Sequence, residues 1–337
     1  MKILLLTPSP SHVHRGSAAT VRRYREGLQQ RGHLCEVFGI TEDGNLKQSL
    51  EGTIGRFKPD LVHAHDAFRT GISLLGLRLP WVVSMTGEDF HYDMVESPLG
   101  ALVSEVFRRA HRVLVPSERA ARAMEEQVPD AVGRVDVVPR GITLLPTHGT
   151  DLRRSLGIPR QRFLVLLPGG LRPIKGQHRA LPLVRALRSS GVDAEMILVG
   201  PEQDREYAEG VRREAGQESG VRVLPALSWE RMGAAYADAD VVLNTSLDEG
   251  MSASILEAGC LARPVVASRV PGNETLVAHK ETGLLFDDET SMCKAVLAVA
   301  RNRSAAGALG VRMREDFKRR FDPRQEINQL LSAYAAA

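Results

Sequence analysis

The feature that most constrains this chain is an alternation, over nearly its whole length, between short apolar runs and amphipathic stretches. This alternation is typical of βα units, which build parallel sheets covered by helices. It predicts strands at 2–7, 34–39, 60–63, 81–85, 112–115 and 134–138, then at 162–167, 194–200, 221–224, 240–243, 264–267 and 283–286.

The stretches between these runs have helical spacing. They predict helices at 18–31, 46–57, 69–78, 98–110, 117–126, 176–190, 203–216, 229–237, 252–261 and 289–301. Residues 303–335 also have helical character, with a break at 321–323 because proline ends or kinks a helix.

Two α/β domains are expected from a chain of 337 residues. Prolines and glycines without sustained periodicity at 139–159 mark a linker. We predict doubly wound, Rossmann-like domains at 1–145 and 146–320 with a cleft between them. The helix at 321–337 is expected to pack back on the first domain.

Composition narrows the class of protein. The net charge is only +3, and no basic, aromatic-interleaved surface suggests nucleic acid, although peripheral contact with an anionic membrane stays open. The three cysteines have no metal-ligand spacing and no apolar run is long enough to span a membrane, so we expect a reduced, cytoplasmic protein without a metal.

The clearest functional signal is the stretch 248–258, which follows an apolar run and opens a helix. A helix start presents unpaired N–H groups and a positive dipole end, which suit phosphate. We predict that the N–H groups of Gly250, Met251 and Ser252 face a nucleotide diphosphate. Glu257 would accept hydrogen bonds from a ribose, and Glu249 would meet the group that the phosphate carries.

A second stretch, 166–176, places two cations among glycines before a predicted helix. Cations there oppose the helix dipole unless an anion is bound. We predict that Arg172 and Lys175 clamp the diphosphate next to Gly170, and that two charge-assisted hydrogen bonds make a metal unnecessary.

Other strand exits supply further candidates, because ligands of such sheets bind at the carboxyl ends of strands. Gly16 and Ser17 open the first helix and could face the diphosphate. Gly200 follows a strand, and Leu224 lies where backbone could flank a base. Trp229 is expected to be packed rather than stacked on the base.

Polar residues also follow two strands of the first half. His63 and His65 end one strand, and we expect them to face opposite ways, one in the core and His65 toward a ligand. Thr86, Asp89 and His91 follow the next strand as candidate contacts to the transferred group or the acceptor.

Taken together, these motifs resemble those of a retaining glycosyltransferase of family 4 with the GT-B fold. The likeness rests on residues 249–258, on 263–268 and on 282–286. It implies sugar transfer from a nucleotide diphosphate sugar (a UDP-sugar favoured, a GDP-sugar as the alternative) to an unidentified acceptor, without a required metal. The first domain would then face the acceptor and the second the donor.

The chain departs from the family pattern at two positions. Many relatives have histidine where Thr86 stands and arginine where Gly170 stands, so His65 or His91, and Arg172, are the candidates to compensate. Two alternatives therefore stay open: a nucleotide-sugar binding protein without transfer, and another GT-B enzyme such as a nucleotide-sugar epimerase. A nicotinamide dehydrogenase is disfavoured because no GxGxxG follows a strand.

Overall fold

Two parallel sheets organise the chain, as seen in a computed structural model that describes residues 1–8, 16–40, 46–86, 89–90, 94–96, 98–142, 147 and 151–337. The chain divides into two compact units. The first comprises Met1–Thr143 together with Phe321–Ala337, and the second comprises Leu144–Arg320.

The first unit is built on six parallel strands. They are β1 (Lys2–Thr7), β2 (Leu34–Gly39), β3 (Leu61–His65), β4 (Trp81–Ser84), β5 (Arg112–Val115) and β6 (Val135–Val137), in the order β2-β1-β3-β4-β5-β6. The described helices of this part are α1 (Gly16–Gln29), α2 (Leu46–Phe57), α3 (Met94–Glu96), α4 (Gly100–Arg109) and α5 (Glu118–Gln127).

The helix predicted at 69–78 is wrong. Only Gly71–Leu74 forms a turn of 3₁₀-helix, and the backbone is extended again at Leu75. A Cβ at Gly71 would lie 2.7 Å from a methyl of Val106, so the segment is pressed against α4, and Gly76 has φ +91°. Local packing and a left-handed glycine thus override the helical spacing of the sequence.

The second unit repeats the plan with strands β7 (Phe163–Pro168), β8 (Ala194–Val199), β9 (Val221–Leu224), β10 (Val241–Asn244), β11 (Val265–Ser268) and β12 (Leu284–Phe286). All pair in parallel, in the order β12-β11-β10-β7-β8-β9. Its helices are α6 (Leu152–Leu156), α7 (Leu183–Ser189), α8 (Arg205–Ala215), α9 (Trp229–Asp238), α10 (Ala253–Cys260), α11 (Pro271–Glu274), α12 (Glu289–Arg301) and α13 (Arg303–Arg320).

The structure differs from the sequence-based prediction at two helices of this unit. Helix α6 lies inside the predicted linker, capped by Asp151 and ended by Gly157 at φ +67°. The helix predicted at 176–190 is interrupted: Gly176 is left-handed at φ +59°, a 3₁₀ turn follows, and α7 begins only after Pro182, which has no N–H to donate.

The last helix, α14 (Pro323–Ala335), belongs to the first unit. Asp322 caps it and Pro323 stands in its first turn, which explains the break from α13. Ile327, Leu330 and Tyr334 pack in the core beneath α1. A buried ion pair joins the two helices, with Arg23 Nη2 donating to Glu326 Oε1 at 2.8 Å.

The inner strands of both sheets are largely buried, as expected for strands covered by helices on each face. Every residue of β7, β8, β10 and β11 is buried. Among the described residues, no helix combines the length and apolar character that crossing a bilayer requires.

Candidate functional site

The strand order of the second sheet locates a candidate site. From β7 the chain moves outward through β8 and β9, then returns to add β10, β11 and β12 on the other side of β7. Loops after β7 and β10 therefore part at a topological switch point, where open α/β sheets bind ligands. Those loops contain the two stretches that the sequence singled out.

The two loops are joined by several hydrogen bonds. Lys175 Nζ donates to Glu249 Oε1 at 2.7 Å, the hydroxyl of Thr245 donates to the Lys175 carbonyl at 2.8 Å, and the Leu247 N–H donates to the Ile174 carbonyl at 2.8 Å. A Cβ at Gly176 would lie 2.5 Å from the Thr245 carbonyl oxygen, so this approach requires glycine. Lys175 and Glu249 thus meet although 73 residues separate them in the chain.

One oxygen of Glu249 receives three donors. Besides Lys175, the hydroxyl of Ser246 donates to Oε1 at 2.7 Å and Asn244 Nδ2 at 3.2 Å. The side chain is only 8% exposed. Oε2 accepts no hydrogen bond from the described residues, so a ligand hydroxyl can use it. The sequence reasoning missed Asn244 and Ser246, although both polar residues lie directly at the exit of β10.

A buried amide extends this network away from the ligand side. Asn273 Nδ2 donates to Asn244 Oδ1 at 3.0 Å and to the Ser268 carbonyl at 3.0 Å. The neighbouring Gly272 lies so close to Glu249 that a Cβ would be 1.8 Å from its carbonyl oxygen. The loop after β11 therefore supports the backbone and the side-chain network around Glu249.

Helix α10 begins beside Glu249. Gly250 is exposed, Met251 is half-buried and Ser252 is the N-cap. The Ser252 hydroxyl makes no cap bond to the helix and instead accepts from Asn244 Nδ2 at 3.1 Å. Since no side chain caps this start, its N–H groups suit an anion.

Glu257 lies in the same helix, half-buried. The Tyr236 hydroxyl donates to its Oε2 at 2.7 Å, and Tyr236 is fully buried. Burial, and then the Glu257 charge, raise the pKa of Tyr236 well above its usual value, so the phenol keeps its proton. The only sequence signal for this partner is a hydroxyl among the buried alanines of α9.

The glycine-rich loop after β7 touches the loop after β8. A Cβ at Gly200 would lie 2.0 Å from the Gly169 carbonyl oxygen, so both loops need the absence of a side chain there. Gly170 lies under the side chain of Gln203, a contact that the sequence did not indicate. Arg172 is half-buried in extended backbone just before Lys175.

The remaining second-unit predictions lie on an edge of the sheet. Leu224 ends β9, is half-buried, and offers its carbonyl to the Gly200 N–H at 3.5 Å. Trp229 begins α9 and is half-buried. Leu224 stays a prediction as a nucleotide contact, whereas Trp229 was expected to be packed.

In the first unit, the expectation that His63 and His65 face opposite ways is wrong. They are two residues apart on a strand and therefore share a face, and both rings lie against Tyr24, at centroid distances of 5.6 and 6.2 Å. His63 is a core residue, bonded to the Tyr334 hydroxyl and the Ser84 hydroxyl at 2.7 Å each. His65 Nδ1 is buried without a hydrogen-bond partner among the described residues.

Burial, and then nearby cations, lower the pKa of His65 to about 3, and burial, followed by His65, has the same effect on the pKa of His63. Both rings are therefore neutral near pH 7. A neutral His65 can exchange a hydrogen bond with a ligand but carries no charge to it.

The structure brings Thr86 and Asp89 together, and the Asp89 side chain binds the backbone N–H of Thr86. Asp89 accepts the Thr86 N–H at 2.9 Å on one oxygen and the Ala67 N–H at 2.7 Å on the other. Burial and the neighbouring Asp66 raise the pKa of Asp89 to about 7. Asp89 therefore fastens the exit of β4 to the exit of β3.

For three of the predicted ligand contacts, the structure describes little or nothing of the side chain. His91 lies outside the described residues, Gly16 is the first residue of α1, and only the backbone of Ser17 is described, as part of that helix. A search of the described residues for three or more His, Cys, Asp or Glu side chains arranged to hold a metal found none.

Two family models match the chain. Residues 162–302 match a model described as "Glycosyl transferases group 1", and residues 46–141 match a "Glycosyl transferase 4-like domain". Each match covers most of one sheet and the loops that leave it.

Similar proteins of known sequence agree with these matches. Glycosyltransferase 1 domain-containing protein 1 of Xenopus tropicalis is 26% identical over 85% of this chain and 84% of its own length. A D-inositol 3-phosphate glycosyltransferase of Xylanimonas cellulosilytica is 28% identical over 72% of this chain, which spans only 61% of that relative.

Solved structures show the same fold. Sucrose-phosphate synthase from Thermosynechococcus elongatus superposes with a TM-score of 0.83 at 19% identity, covering 99% of this chain and 98% of that one. The Anabaena protein HepE in complex with UDP-glucose gives 0.81 at 21% identity, with each chain covered completely.

The fold is therefore GT-B, with two six-stranded parallel sheets flanked by helices. On this fold the chain carries a glycosyl transferases group 1 domain and a glycosyl transferase 4-like domain.

Proposed function

We propose that the protein moves a sugar from a nucleotide diphosphate sugar to an acceptor, with retention of anomeric configuration and without a required metal. The observation that carries this proposal is the meeting of Lys175, Glu249 and the start of α10 at the switch point of the second sheet. A UDP-sugar is the favoured donor, supported by the fold shared with a UDP-glucose complex, and a GDP-sugar is the alternative.

The proposed donor contacts lie along this edge. Arg172, Lys175 and the N–H groups of residues 250–252 hold the diphosphate, and Glu257 accepts from the ribose. Gly170 and Gly200 are predicted to line the diphosphate, and Leu224 is predicted to lie near the base. Gly16 and Ser17 stay predicted diphosphate contacts of the first unit, and His65, Thr86, Asp89 and His91 stay predicted contacts of the sugar or acceptor.

Glu249 is proposed to bind the sugar. Its Oε1 is held by Lys175, Ser246 and Asn244, which fixes the carboxylate and leaves Oε2 for a sugar hydroxyl. A buried, fixed acceptor orients the sugar at little entropic cost, and orientation is a large part of catalysis in such transfers.

In the proposed transfer, one bond breaks and one bond forms at the anomeric carbon of the sugar. The bond between the anomeric carbon and the leaving phosphate oxygen breaks, and the acceptor oxygen bonds to that carbon on the same face. The acceptor proton passes to the leaving phosphate. Negative charge grows on the diphosphate, where Lys175, Arg172 and the helix start stabilise it.

A nucleotide panel tests this function. Thermal shifts are measured with UDP, GDP, ADP and their sugars, because a ligand that binds the native state stabilises it according to its occupancy. The best donor is then incubated with and without acceptors, with and without a chelator, and followed by NMR. We expect a UDP-sugar to bind best and to yield a product of unchanged anomeric configuration in the presence of chelator.

Other outcomes contradict the proposal in distinct ways. If no nucleotide stabilises the protein, the proposed donor site is wrong. Binding without turnover under every acceptor would favour the sugar-nucleotide binding protein, and an epimerised donor without acceptor would favour the epimerase. An inverted anomer would overturn retention, and loss of turnover with chelator would overturn metal independence.

A further inference from the structure

One buried hydrogen bond in the second unit is not used by the proposed transfer. Tyr236 lies near the end of α9 with 0% of its surface exposed. Its hydroxyl donates to Glu257 Oε2, in the second turn of α10, at 2.7 Å. The bond therefore ties the side chain of one helix to a carboxylate on another.

A buried hydroxyl is unfavourable unless it is hydrogen-bonded, and phenylalanine would fill the same volume without this requirement. Tyr236 lies beside Ala234 and Ala235, which are also buried and whose side chains offer its hydroxyl no hydrogen-bond partner. What the hydroxyl adds is a fixed orientation for the Glu257 carboxylate, whose terminal torsion is otherwise broad.

The charge environment agrees with this direction of donation. Burial and then Glu257 raise the pKa of Tyr236, and burial and then Glu257 raise the pKa of Cys260 to about 11. Tyr236 therefore keeps its proton and remains a donor to Glu257 across the working pH range.

We propose that Tyr236 is a positioning residue for the ribose: by fixing the Glu257 carboxylate, it makes the site select ribonucleotides over their deoxyribose counterparts. This inference rests on the proposed donor site, in which Glu257 binds the ribose. It assigns the sugar-selective step of nucleotide binding to a pair of residues on α9 and α10.

The test is a comparison of Tyr236→Phe with wild type, using UDP and 2′,3′-dideoxy-UDP as probes in calorimetry. Wild type is expected to bind UDP at least about tenfold more tightly than the dideoxy compound, the effect of one lost charge-assisted bond. Tyr236→Phe is expected to weaken UDP about tenfold and to change the affinity for dideoxy-UDP less than twofold. In a Glu257→Ala background, Tyr236→Phe should have no further effect on UDP.

Tyr334→Phe is the matched control, because Tyr334 is also buried and its hydroxyl also forms a 2.7 Å bond, but to His63 in the first unit. It should leave both nucleotide affinities unchanged. A 3-fluorotyrosine at position 236 keeps the hydroxyl and covers the case that the phenylalanine variant does not fold: its ¹⁹F resonance should shift with UDP and not with dideoxy-UDP.

Equal losses for UDP and dideoxy-UDP in Tyr236→Phe would show a purely structural role and overturn the inference, while the donor site would stand. The same holds if Tyr236→Phe binds UDP as wild type does, or if the fluorine resonance responds equally to both probes. If wild type binds neither UDP nor GDP, the donor site itself fails and this inference fails with it.

Discussion

Two buried carboxylates show how differently the two units use the exits of their strands. Glu249 in the second unit receives three side-chain donors on one oxygen, and its other oxygen is not used by the described residues. Asp89 in the first unit has both oxygens bonded to backbone N–H groups. The difference teaches that burial and charge do not identify a ligand site by themselves. What matters is whether the fold has already used both oxygens.

The largest expected effect is at Glu249. Glu249→Gln should lower transfer at least about 100-fold, because a neutral amide replaces the carboxylate that meets the sugar. The affinity for UDP should change less than threefold. Transfer assays and calorimetry measure the two quantities separately.

Asp248→Asn is the control for that change, since Asp248 is the exposed neighbour of Glu249. Near wild-type transfer by Glu249→Gln would mean that Glu249 is structural, like Asp89, and the contrast between the two carboxylates would disappear.

The reverse result is expected at Asp89. Asp89→Asn turns an acceptor oxygen into a donor that faces a backbone N–H, and should lower the free energy of unfolding by about 2 kcal/mol. UDP affinity should not change. Asp130→Asn, at an exposed ion pair with Arg108, should have almost no effect on stability. A stable Asp89→Asn that has lost transfer would instead place Asp89 in the site.

Removal of the clamp should have a smaller effect. Lys175→Ala or Arg172→Ala should weaken UDP binding about tenfold, the equivalent of one charge-assisted hydrogen bond. Uridine, which has no phosphate, serves as the probe that should not respond. Unchanged UDP affinity in both variants would leave Lys175 as a partner of Glu249 only.

The last prediction concerns pH and the buried ring of His63 in the first unit. Burial lowers the pKa of His63 to about 3, so its stabilising neutral form is fully present above the unfolded pKa of about 6.5 and its contribution is lost as pH falls toward 3. Between pH 6.5 and 5, wild type should therefore lose up to about 1.4 kcal/mol per pH unit more than His63→Gln.

Urea unfolding in a Trp229→Phe background measures this difference, because Trp81 then reports on the first unit alone. Asp89, whose raised pKa gives the opposite dependence, is common to both proteins and cancels. His178→Gln, at an exposed position of the second unit, is the control. Parallel pH profiles for wild type and His63→Gln would contradict the burial of a neutral His63 in the folded first unit.

Much of the fold could be predicted from the sequence because apolar runs mark buried parallel strands. All twelve predicted strands are present, within a few residues. The helices at 69–78 and 176–190 were less predictable, since Gly71 against Val106 and Gly176 against Thr245 are contacts between distant segments. The helical spacing of residues within one segment does not reveal its contacts with segments far away in the sequence.

The candidate site was predictable in its residue types but not in its pairings. Helix starts and glycines pointed to residues 249–257, yet the pairing of Lys175 with Glu249 and of Tyr236 with Glu257 depends on the order in which strands join the sheet. The two histidines of β3 show the opposite case: strand periodicity alone places them on one face.

The buried pair between Arg23 and Glu326 has a consequence for synthesis. A ribosome makes residues 144–320 before it makes the helix that completes the core around α1, so the second unit has its whole sequence first. Until α14 emerges, the nascent first unit exposes the apolar surface that Ile327 and Leu330 later cover and holds a guanidinium without its carboxylate. A chaperone that captures exposed apolar chain would therefore find its target in the earlier-made unit, not the later one.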